Sequence, residues 1–63
     1  MSNKRIEELH EIASRICELD PEDRHMESAV WMEGRGCRSM LEIYLVRNEV
    51  LGLLVYGRGG LHE

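Results

Sequence analysis

Residues 27–57, ESAVWMEGRGCRSMLEIYLVRNEVLGLLVYG, decide the fold. Three apolar runs, 28–33, 39–46 and 50–57, are separated by Gly34-Arg35-Gly36 and by Arg47-Asn48-Glu49. Val30 and Trp31, and the Ile, Tyr and Val residues of the later runs, favour extended backbone. The glycines at 34 and 36 supply the positive φ of a hairpin turn, and Asn48 tolerates the left-handed region. The stretch therefore predicts a three-stranded antiparallel meander with strands near 28–33, 39–46 and 50–57. A competing reading carries a helix from Pro21 to Glu33, stops it at Gly34, and gives an α-α-β-β order.

Upstream, residues 4–19 predict an amphipathic helix. Ile6, Leu9, Ala13 and Ile16 recur at helical spacing, Ile12 and Leu19 widen the stripe, and Glu7, Glu8, Glu11, Arg15 and Glu18 form the opposite face. Ser2 or Asn3 caps its start. Asp20-Pro21-Glu22-Asp23 stops it and begins a short helical turn reaching about Met26. The expected class is α+β, one small domain over 1–63 with the N-terminal helix packed on the meander. Residues 1–3 and 61–63 are expected to fray.

Strand parity then sorts the faces. Leu41, Ile43, Leu45, Leu51, Leu53 and Val55 form one aliphatic face, a seat for the helix. Met40, Tyr44, Leu54 and Tyr56 fall on the other, with Trp31 from the first strand and the carboxylates Glu33 and Glu42 at its border. These seven are the candidate protein-binding residues, since bare Trp and Tyr suit an interface. One helix cannot cover both faces, so the aromatic face is expected to form a homodimer or to receive a different protein. If dimerisation takes it, the acids Glu7, Glu8, Glu11 and Glu18 become the contact surface.

Charge narrows the partners. The chain has 63 residues and a net charge of −4. Residues 1–33 carry four basic and nine acidic residues, or −5; residues 34–63 carry four and three, or +1. The acidic first half repels a phosphate backbone, so nucleic-acid affinity of its own is not expected. Arg35, Arg38 and Arg58 would gather at one end of a meander, an anion-binding edge and the basis of an alternative reading as a small nucleic-acid-binding regulator. The charges at positions 4, 5, 7, 8 and 11 leave no signal-peptide apolar region, and the longest apolar run, 50–56, is too short to span a bilayer. A cytoplasmic protein without membrane contact is expected, with Cys17 and Cys37 as reduced, buried thiols.

No constellation for chemistry emerges. Glu7-x-x-His10 has the spacing of a carboxylate-bridged metal site but lies off the apolar stripe. His25 and His62 lack partners at ligand spacing. No serine sits in a nucleophile elbow, and neither Gly-Arg-Gly belongs to a P-loop. No catalytic residue, metal or cofactor is expected. The function read from the sequence is a small non-catalytic protein-interaction module. Its size and acidity fit the inhibitors (CRISPR inhibitors among them) and antitoxins of phages and mobile elements, which dock on larger proteins.

Overall fold

The computed structural model describes residues 2–56, and among them it is all-helical. Helix α1 spans Asn3–Cys17, a single 3₁₀ turn spans Pro21–Asp23, α2 spans Ala29–Gly34 and α3 spans Met40–Val55. No strand is present among the described residues, so the expected helix-on-meander fold is overturned, and with it the α-α-β-β alternative and the α+β class. The first expected strand is α2. The second and third, with the expected turn at Arg47-Asn48-Glu49, are one continuous helix. Gly57, Arg58 and the expected fraying at 61–63 lie outside the described residues.

Helix α1 forms as its periodicity predicts. Ser2 is extended and its hydroxyl accepts the Arg5 N–H at 3.2 Å. Leu9, Ala13, Ile16 and Cys17 are buried along one side. The helix ends where Asp20-Pro21 forbids continuation, and Arg24 folds back to donate to the last-turn carbonyls of Ile16 (3.3 Å) and Cys17 (3.1 Å).

The Gly34-Arg35-Gly36 segment explains why the hairpin does not form. Gly36 does adopt a positive φ, 114°. It closes a helix rather than a hairpin: the Gly36 N–H donates to Glu33 O at 3.0 Å and the Cys37 N–H to Met32 O at 3.2 Å. That pair of bonds is the Schellman C-cap, and buried Met32 and Cys37 supply its apolar contact. At the other end of α2, the Ser28 hydroxyl accepts the Trp31 N–H at 3.2 Å. Local capping thus outweighs the β preference of Val30-Trp31.

Helix α3 begins with Ser39-x-x-Glu42, where the Ser39 hydroxyl accepts the Glu42 N–H at 3.2 Å. Ile43, Val46 and Val50 point inward and are buried. Their spacing, with Leu53 packed beside them, is the helical one. The inner side of α3 meets α1 and α2, and Leu9, Ala13, Ile16, Met32, Cys37, Ile43, Val46 and Val50 close the core. Cys17 also lies there, its thiol 3.8 Å from Val50 O; both cysteines are free and buried.

Candidate interaction surface

At 100° per residue, the side of α3 facing away from the core presents Met40, Leu41, Tyr44, Leu45, Asn48, Leu51, Gly52 and Val55. Leu41 is 60% exposed, Tyr44 56%, Leu51 52% and Val55 66%. Asn48 carries the one amide in this arc and Tyr44 the one hydroxyl, and no charged residue lies in it. The charged residues at its margins are engaged elsewhere. Arg47 donates through Nε to Met26 O, and the Glu49 carboxylate lies 2.8 Å from His10 Nδ1, joining α3 to α1. A cleft of about 310 Å³ lined by Ile6, Leu9, His10, Leu45 and Glu49 runs along one edge. A helix apolar on all sides belongs in a core or in an interface, and among the described residues nothing covers this side.

The structure redistributes the residues singled out by sequence. Met40, Tyr44, Leu54 and Tyr56 are exposed on α3. Trp31 is not with them. It is half-buried against the core, with Arg35 stacked 4.6 Å from its ring centroid and the edge of His25 at 6.0 Å. Glu33 is exposed on α2. Leu41, Leu45, Leu51 and Val55, expected to seat the helix, are instead outside. Parity failed because α3 turns by 100° per residue, not by 180°.

Glu42 does not border an aromatic face. It is buried, 8% exposed, where α1, the α2–α3 loop and α3 converge. Arg5 Nε donates to its Oε2 at 2.9 Å, Arg5 Nη2 donates to its Oε1, and the Arg38 N–H reaches Oε1 at 2.7 Å. Arg5 also donates to Gly36 O at 2.8 Å and to Glu8 at 2.9 Å. The Arg5 hydrogen bonds, helped by the Arg38 N–H, hold the Glu42 carboxyl down to about 2. Arg5 likewise lowers Glu8, while burial, then the nearby Glu42 charge, push the Cys37 thiol up. This cluster is a structural clasp: Arg5 and Glu42 spend their hydrogen bonds on other parts of the chain.

Glu7, Glu11 and Glu18 are exposed and fall within about 40° of one another on the outer side of α1. Glu11 pairs with Arg15 at 3.3 Å. Glu8 leaves the expected acidic set, since it is tied to Arg5. The arginine edge loses its premise with the meander. Arg35 is engaged with Trp31, Arg38 is exposed, and Arg58 lies outside the described residues. A second cleft, about 300 Å³, is lined by Ile12, Arg15, Ile16, Leu19, Gly34 and Arg35. No group of three or more metal-ligating side chains occurs among the described residues. No helix among them is long and apolar enough to cross a membrane. Comparison with protein-family models, with curated proteins and with solved structures finds no match.

Proposed function

We propose that this chain is a small non-catalytic protein-interaction module that works by docking the outer side of α3 onto another protein. The observation that carries this reading is the uncharged apolar arc of α3 in a chain of net charge −4. Soluble monomers leave apolar patches of only about 300–600 Å² open. Seven exposed large apolar side chains of the outer side of α3 and its cap, Met40, Leu41, Tyr44, Leu45, Leu51, Val55 and Tyr56, exceed that. At about 100 Å² each, half of what a large side chain can bury, they present about 700 Å². The module acts in the cytoplasm, and the inhibitors and antitoxins that dock on larger proteins are the class its size and acidity fit.

The test is site-specific photocrosslinking in the source cell, with a probe at Leu51 on the apolar arc and a control probe at Glu11 on α1. Protein adducts from Leu51 are expected. Adducts from neither position would defeat the reading. Binding to duplex DNA or RNA with a steep loss of affinity on adding salt would replace it with the nucleic-acid alternative.

A further inference from the structure

We infer that the outer side of α3 is occupied by a second copy of this chain, the two α3 helices packing along Leu41, Tyr44, Asn48, Leu51 and Val55. The inference rests on the docking role proposed for that surface and names its occupant.

These five positions are spaced 3-4-3-4, the repeat by which one helix pairs with another. The residues facing the core of the same chain, Ile43, Val46 and Val50, occupy other positions of the same heptads. Both contacts therefore coexist on one helix. Asn48 is the midpoint of the stripe, seven residues from Leu41 and seven from Val55. A two-fold axis beside it brings Asn48 against its own counterpart whether the helices run parallel or antiparallel. Its amide donates and accepts, so two copies satisfy each other. An all-apolar groove on a different protein would leave it buried and unpaired, which costs about 1–3 kcal/mol.

Area and charge agree. The roughly 700 Å² presented by the outer side of α3 and its cap is close to the roughly 800 Å² that one partner contributes to an interface of standard size. The chain has a net charge of −4 and this arc carries no charge, so two copies meet there without setting carboxylate against carboxylate. Helix α1 packs on the opposite, inner side of α3, so pairing holds the two acidic stripes apart.

The test is sedimentation equilibrium of the purified full chain up to roughly 100 µM, since interfaces of this size bind at about micromolar strength or tighter. A monomer–dimer equilibrium is expected, strengthened by added salt because salt screens like charges. Leu51→Glu should be monomeric with unchanged helical circular dichroism, as Leu51 takes no part in the core. Asn48→Leu should associate at least about tenfold more tightly and form species beyond the dimer, because the residue that sets register and copy number is gone. A monomeric wild type, or a Leu51→Glu variant that dimerises like wild type, overturns the inference. Wild-type monomer together with Leu51 photoadducts to a different protein overturns the self-pairing alone. Monomer with no adduct overturns the docking role as well.

Discussion

Helices α1 and α3 have nearly the same length, 15 and 16 residues, and pack against each other, yet their outer sides are opposites. The outer side of α1 carries Glu7, Glu11, Arg15 and Glu18; that of α3 carries Leu41, Tyr44, Leu51 and Val55 around one Asn. The inner sides of both are explained by the core. The outer side of α1 is explained by water. The outer side of α3 is explained by neither, and this contrast separates a surface made for solvent from one made for contact.

The sharpest way to break the contrast is to compare the two sides of α3 itself. Ile43 is 1% exposed, and Ile43→Ala should cost about 3 kcal/mol. That is a large share of the roughly 5 kcal/mol such a small domain holds. Leu51→Ala on the outer side should change monomer stability by less than about 0.5 kcal/mol while weakening association. Urea unfolding at low concentration, where the monomer prevails, reads both. Equal losses at the two positions would mean that the outer side is buried within the monomer.

That same two-sidedness is why α3 was not legible as a helix. A segment with apolar residues on both its inner and its outer side satisfies two periods at once. Leu41, Ile43 and Leu45 alternate like a strand, while Ile43, Val46, Val50 and Leu53 recur like a helix. The arbiter was Ser39-x-x-Glu42, a helix-start signature inside the stretch read as strand, together with the Leu, Met, Glu and Arg content of 40–54. Helix α1 was legible because its second face is charged and admits one period only. Gly36 was legible as a positive-φ residue, but its role was not, since a hairpin turn and a helix C-cap ask the same of glycine. On α3, Met40, Tyr44, Leu54 and Tyr56 are exposed, as the strand reading also placed them away from the helix, while Leu41, Leu45, Leu51 and Val55 were assigned to the wrong side by the wrong period. The Arg5–Glu42 clasp joins residues 37 apart and has no local signal beyond the serine cap.

The clasp is where the two helices are tied, so it tests whether the contrast depends on how α3 is held. Glu42→Gln should cost about 2 kcal/mol at neutral pH, because charge-assisted hydrogen bonds to Arg5 and the Arg38 N–H are lost. Folding lowers the Glu42 carboxyl from its ordinary 4.5 to about 2. The unfolded chain thus holds more protons in that window, and the stabilisation is complete above about pH 4.5 and fades as pH falls toward 2. Wild type should lose stability over that range more steeply than Glu42→Gln. Parallel acid-unfolding curves would show that the carboxylate is not held as described.

A smaller effect is expected at the α2 cap. Gly36 sits at φ 114°, and a Cβ there would stand 3.1 Å from Ile12 Cδ1. Gly36→Ala should cost about 1–2 kcal/mol from the backbone strain alone. Because the Schellman turn delivers Arg38 and Ser39 to the start of α3, hydrogen exchange should quicken at the Arg38 and Glu42 amides before it does in α1. Faster exchange confined to α1 would contradict this order.

The smallest expected change in stability falls on the outer side of α1, and it bears on what each surface is for. Replacing Glu7, Glu11 and Glu18 together by Gln removes three negative charges and takes the net charge from −4 to −1. These side chains are exposed, and the Glu11–Arg15 pair at 3.3 Å is a surface pair of little weight. The melting temperature should move by no more than about 2 °C. If the acids only keep α1 wet, nothing else changes. If α3 pairs with its copy, reduced repulsion between the protomers should tighten the dimer at low salt and flatten its salt dependence. If a larger basic protein meets α1, association with it should slow, because charge on a rim acts on the encounter rate. Sedimentation at two salt concentrations reads the first effect, and stopped-flow binding to the crosslinked partner reads the second. A triple variant whose self-association keeps the wild-type salt dependence would show that these three charges play no part in how two copies approach.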